Sequence, residues 1–120
     1  ALSSQDIIVN VTGGLTIKEP ALDLAIALAI ASSLWNIPVV RGMVVLGEVG
    51  LGGELRKVSQ LQRRLGEANR MGFEQCLIPG QPGAAKESLS DIRPVYASTI
   101  TQAFSIGLPG KKVNIKHEWP

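Results

Sequence analysis

The sequence has very little sulfur or imidazole chemistry to offer. It contains one cysteine, Cys76, and one histidine, His117, in 120 residues. A single cysteine excludes an intramolecular disulfide framework and a cysteine-rich zinc site, and it suits a reducing compartment. One histidine excludes any mechanism that needs two from the same chain. Aromatic residues are scarce as well, at 4%, so the core must be built from Leu, Ile, Val and Ala. Nor is there a long hydrophobic run. The longest uncharged apolar stretch, Leu24 to Val40, is interrupted by Ser32, Ser33, Asn36 and Pro38. It is shorter than the roughly 20 apolar residues that cross a bilayer, and no membrane partner is expected. Neither sign of charge dominates. The 12 basic and 10 acidic residues give a net charge of +2, too little by itself to call for nucleic acid. The opening Ala1-Leu2-Ser3-Ser4 carries neither a Met nor a leader pattern, which suggests a domain cut from a longer protein.

What is present fits one domain with a real core. Ile7 to Val11 is β-branched and precedes Gly13-Gly14; Leu15 to Lys18 alternates apolar and polar. Together they read as a β-hairpin that puts Thr16 and Lys18 on one face. Pro20 then opens a helix to Leu34 or Trp35, with Glu19 and Asp23 near its positive end. That helix is apolar nearly all round, which predicts a central position; its alanines at 25, 27, 29 and 31 allow close approach. Met43 to Glu48 predicts a buried strand, and Glu54-Leu55 a short return strand. Val58 to Met71 has helical spacing, with Ser59 as its expected N-cap and Gly72 as its C-cap. Gln75 to Ile78 and Ile92 to Tyr96 are further strands, and Ser98 to Ile106 is the last helix. Strands and helices interleave, so the fold class is α/β or α+β with mixed strand directions. Residues 1–110 form the domain and 111–120 a basic polar tail.

Few constellations carry chemistry. The Gly47 to Gly53 stretch fits neither a P-loop nor a dinucleotide fingerprint and reads as a tight turn. Gly110-Lys111-Lys112 lacks the rest of a phosphate loop. No metal-ligand spacing exists, and Cys76 reads as a small buried hydrophobe. No cofactor is expected in this chain. The basic residues are more informative. Arg56, Lys57, Arg63, Arg64 and Arg70 fall within fifteen positions, against Glu54 and Glu67, a local balance of +3. On a helix Arg63 and Arg70 share a face, while Arg64 points elsewhere. Such a patch meets phosphates without reading sequence. A solvated helix face is the alternative. No aromatic residues interleave, which disfavours single-strand recognition.

Three segments resemble the proteolytic domain of the Lon protease family. They are Pro20-Ala21-Leu22-Asp23, then Val45 to Leu55 (VLGEVGLGGEL), then Val58 to Leu65 with Ala68, Met71-Gly72-Phe73 and Leu77-Ile78-Pro79. The resemblance implies that fold, shared with the second domain of ribosomal protein S5: a mixed sheet packed with helices. In Lon the first segment supplies a serine nucleophile and the third a lysine base. Here those positions hold Ala21 and Arg64. Alanine has no oxygen to attack a carbonyl, and an arginine cannot be a neutral base. The chain is therefore expected to have no catalytic residues.

A closer resemblance is to the C-terminal domain of the bacterial RadA (Sms) DNA-repair family. It is carried by Val9-Asn10-Val11, Gly13-Gly14, Glu19-Pro20-Ala21, Asp23-Leu24-Ala25, Ser32-Ser33, Gly47 to Leu51, Gly53-Glu54, Arg56, Val58, Arg64-Leu65, Glu67-Ala68 and Gly72-Phe73. This resemblance implies a hexameric branch-migration motor, with zinc and ATP held in upstream domains and a recombinase as partner. The location implied is the bacterial cytoplasm, or the plastid stroma for a plant protein. It also favours duplex DNA, bound through phosphates, as partner of the basic patch. The family's basic positions fall at Thr16 and Arg56; Thr16 departs from the pattern, and Lys18 on the same strand face stands in. Arg56, Lys57 and Lys18 are the first candidates, followed by Arg63, Arg64 and Arg41. A ring-forming scaffold without DNA contact, a residual peptidase and RNA binding are the competing readings.

Overall fold

The computed structural model describes residues 19–81 and 91–110. The expected hairpin over Ile7 to Lys18, with Lys18 itself, lies outside the described residues, as do residues 82–90 and the tail.

Pro20–Leu22 makes one 3-10 turn and feeds α1, Asp23–Trp35. The helix ends where Asn36 takes a left-handed conformation and the Ile37 N–H donates to the Ser32 carbonyl, 3.1 Å away. β1 spans Met43–Val45, β2 Glu48–Val49 and β3 Leu55–Arg56. α2 runs Leu61–Arg70, β4 Gln75–Pro79, β5 Arg93–Ala97 and α3 Ile100–Gly107.

β1, β4 and β5 form a parallel sheet in that order, and β2 pairs with β3 antiparallel in a separate small sheet. Side chains alternate across the parallel sheet and so divide the core in two. Met43, Leu77 and Ala97 face one way and pack with Leu24, Ala27, Leu28 and Ala31 of α1 and Ala103 and Phe104 of α3. Cys76 and Ile78 face the other way and pack with Leu65 and Ala68 of α2. The result is a three-layer α/β arrangement, with α1 and α3 on one face and α2 on the other. Trp35 meets Phe104 edge to face, with ring centroids 5.6 Å apart, tying the end of α1 to α3.

Three expectations need correction. Met43 to Glu48 is not one strand. Leu46 still donates to the Leu77 carbonyl (3.0 Å), but Gly47 turns away to exchange hydrogen bonds with Ala21 and Leu24, both 3.0 Å. A Cβ at Gly47 would sit 3.3 Å from Leu24 and Pro79, so only a bare backbone approaches the helix start this closely. Second, the N-cap of α2 is Gln60, left-handed and without a side-chain cap bond; Ser59 does not cap it. Third, the return strand is Leu55–Arg56, not Glu54-Leu55; Glu54 instead pairs across to Thr99. At the other end of α2, Gly72 takes a φ of +95° and Phe73 donates to the Ala68 carbonyl (3.1 Å), which closes the helix as expected. α1 is less enclosed than its composition implies. Ala27 and Ala31 are buried, while Ala29, Ser33 and Leu34 are exposed.

Candidate nucleic-acid interface

The parallel strands sort the predicted basic residues by their ends. The β2–β3 hairpin sits at the carboxyl end of the sheet, where Leu55 donates to Ser98 (2.9 Å) and Ile100 donates to Gly53 (2.8 Å). Arg56 and Lys57 lie on and just after β3, both exposed. α2 starts at this same end, so Arg63 and Arg64 join them. Arg41 precedes β1 and stands at the opposite end, with Arg93 at the start of β5. The structure thus gathers four of the six candidates, leaves Arg41 apart, and does not describe Lys18.

The gathered cations differ in what holds them. Arg64 is largely engaged: its guanidinium donates to Glu19 Oε1 at 3.0 Å and its Nε to the Ser59 carbonyl at 2.8 Å. It therefore ties the turn before α2 to the segment before α1, beside buried Ala21. Arg56 faces Glu48 at 4.0 Å and Glu54 at 3.7 Å, with its side chain 57% exposed. Arg70 pairs with Glu67 one turn earlier. Lys57 and Arg63 are exposed and have no ion pair among the described residues. Folding therefore changes the charge count. Among the described residues, the local excess of +3 read along the chain falls to +1 once Glu19 and Glu48 are brought alongside.

Two groups near the patch have a structural role. Asp23 accepts the Val49 N–H at 3.1 Å and fixes β2 against the start of α1. Burial pushes its carboxyl above the ordinary range; the Val49 hydrogen bond opposes the shift and the charge of Glu48 adds to it. Glu54 accepts the Gly52 N–H at 3.1 Å, folding its carboxylate over Gly50. Elsewhere, burial pushes the Cys76 thiol up to about 11, so the thiol is unsuited to nucleophilic chemistry. Among the described residues no group of three His, Cys, Asp or Glu is placed to hold a metal, and no helix is long and apolar enough to cross a membrane.

Comparison with known proteins places this geometry in a family. Residues 1–82 match the model of the family described as subunit ChlI of Mg-chelatase. The chain belongs to this ChlI family. Its relatives include the DNA repair protein RadA of Synechocystis sp., 39% identical over 112 residues, which is 92% of this chain and 22% of the relative. The DNA repair protein RadA of Chlamydia pneumoniae is 44% identical over 107 residues, 88% of this chain and 24% of the relative. That of Aquifex aeolicus is 52% identical over 75 residues, 62% of this chain and 17% of the relative. This ChlI-family chain therefore spans about a quarter or less of the length of the curated relatives it matches.

Proposed function

We propose that this chain is a non-catalytic, Lon-like domain of a RadA-type DNA-repair ATPase. In this reading it serves as an oligomer scaffold, in a hexamer, and contacts duplex DNA through phosphates. ATP and zinc belong to other parts of the longer protein, and a recombinase is a partner of the whole. The observation that carries the DNA contact is the grouping of Arg56, Lys57 and Arg63 at the carboxyl end of the sheet, on a chain whose relatives are DNA repair proteins. Exposed cations on a rigid hairpin and a helix start suit phosphates, which need charge and position but no base readout.

The absence of peptidase chemistry rests on two side chains. Ala21 offers a buried methyl group where the Lon pattern has its nucleophile. Arg64 offers a guanidinium already bound to Glu19 and Ser59, and it cannot take up a proton. A scaffold without DNA contact is favoured by one observation, the modest net charge of the folded patch.

The deciding experiment is duplex binding by the 120-residue chain at several salt concentrations, with its mass measured by light scattering in the same buffers. Binding should fall steeply with salt. Lys57→Ala and Arg63→Ala should each weaken it for every sequence and lower the log–log salt slope by about 1. A stable oligomer that binds no duplex even at low salt would leave the scaffold reading and remove the DNA one.

A further inference from the structure

The cation at the centre of the patch faces its own competitors. Glu48 and Arg56 are directly opposed across β2 and β3, so their side chains share one face of the hairpin. Glu54 lies two residues before Arg56 and projects to the same side. The Glu54 carboxylate and the backbone that carries Glu48 are both held independently of the arginine. Glu54 is held by the Gly52 N–H at 3.1 Å and rests in the space a Cβ at Gly50 would occupy. Glu48 is set by its place beside Val49, whose N–H is anchored on Asp23. The contacts to Arg56, at 4.0 and 3.7 Å, exceed hydrogen-bond length. The guanidinium is thus loosely paired, and exposed pairs of this kind are cheap to break.

Resting on the duplex-binding reading above, we propose that Glu48 and Glu54 form an acidic clamp on Arg56 that an arriving backbone phosphate must displace. A phosphate takes the guanidinium with short, charge-assisted hydrogen bonds, which neither carboxylate makes here. The carboxylates then remain beside the phosphate and repel it. The clamp raises the threshold for binding, so that dense phosphate charge is needed to engage Arg56. Glu48 and Glu54 are positioning residues: they act through Arg56.

The test uses the 120-residue chain and a short, mixed-sequence labelled duplex at low and moderate salt. Glu54→Gln keeps an oxygen for the Gly52 N–H and removes the charge; Glu48→Gln does the same across the hairpin. Each should tighten binding about two- to five-fold, the size expected from exposed ion pairs. The gain must vanish when Arg56 is replaced by alanine in the same variants. A Glu74→Gln control, at the far end of the sheet, should give much less. The proposal is overturned if the gain survives in the Arg56→Ala background or equals that of Glu74→Gln, because general charge would then explain it. Binding by the clamp variants but not by the unsubstituted chain would support the clamp in a stronger form. No binding by any variant would overturn the clamp and the duplex reading together, whereas salt-dependent binding unchanged by the glutamate variants would sink the clamp alone.

Discussion

Replacing Gly107 with alanine should destabilise the protein, whereas replacing Gly66 should stabilise it. Both glycines lie in helices, so the intrinsic preference of helices for alanine favours both changes, by up to about 1 kcal/mol. Their surroundings separate them. A Cβ at Gly66, inside α2, would meet nothing within 4 Å. The full gain of about 1 kcal/mol is available there. A Cβ at Gly107, the last residue of α3, would lie 2.7 Å from Leu28 Cδ2 and 3.1 Å from its Cδ1. Leu28 is 1% exposed and lies in one core cluster with Ala27, Ala31, Ala103 and Phe104, all fully buried, so moving its branches disturbs a buried core. Overpacking of this kind costs about 1–3 kcal/mol. At a helix end the propensity gain is smaller than at Gly66, which leaves a net loss of about 1–2 kcal/mol. For a domain of this size each kcal/mol moves Tm by roughly 4 °C. Thermal and urea unfolding followed by far-UV circular dichroism should therefore show Gly107→Ala melting about 4–8 °C lower and Gly66→Ala about 4 °C higher. A Gly107→Ala protein that melts at or above the unsubstituted temperature would refute the close packing of α3 on α1. A Gly66→Ala protein that melts lower would refute the open surface assigned to that face of α2.

Two further predictions concern the edges of the patch. Arg64→Lys should cost about 1 kcal/mol in urea unfolding, because an ammonium cannot reproduce the planar donors that reach Glu19 and the Ser59 carbonyl together. In a double-mutant cycle with Glu19→Gln the coupling should stay at or below about 1 kcal/mol, since Glu19 is 46% exposed and the pair is screened; a stability unchanged by Arg64→Lys would contradict the bridging role. Asp23→Asn tests the half-buried carboxyl. Its pKa is raised in the folded state, so ionisation works against folding, and the chain loses this stability as pH rises from about 4 through the folded value. The Asp23→Asn protein keeps an acceptor for Val49 without that cost. Its stability relative to the unsubstituted chain should rise across this acidic window and level off above it; the opposite slope would mean that hydrogen bonding outweighs burial at Asp23.

The order of elements was legible because each carries a local physical signal. Leu65 and Ala68 keep helical spacing and are the buried face of α2; Gly72 closes that helix; the mainly apolar run at 75–79 forms the central strand. The break after Val45 was not legible. The run Met43 to Val49 is uniformly apolar apart from Gly47 and Glu48, and nothing local records that backbone partners change from Leu77 to Ala21 and Leu24 at Gly47. The Ser59 cap failed as well. The helix starts one residue later than that cap requires, and the chain enters it through a left-handed Gln60 at the N-cap position. The strand break comes from partners chosen in three dimensions.

The same reasoning applies to charge, and there it changes the chemistry. Read along the chain, Arg56 to Arg70 is a basic cluster, because Glu19 and Glu48 lie outside the window. Folding brings Glu48 opposite Arg56 through β2–β3 pairing, and Glu19 to Arg64 across 45 positions of sequence. Two cations that a count treats as equal to the rest thereby acquire carboxylate partners, one tight and one loose. The tight pair, at 3.0 Å with a second bond to a carbonyl, is committed to holding segments together. The loose pair, at 3.7 and 4.0 Å and more than half exposed, remains exchangeable. Lys57 and Arg63 carry the charge left over. Among the described residues, this end of the sheet thus holds two cations without an ion pair, one loosely paired arginine, and one arginine committed to structure.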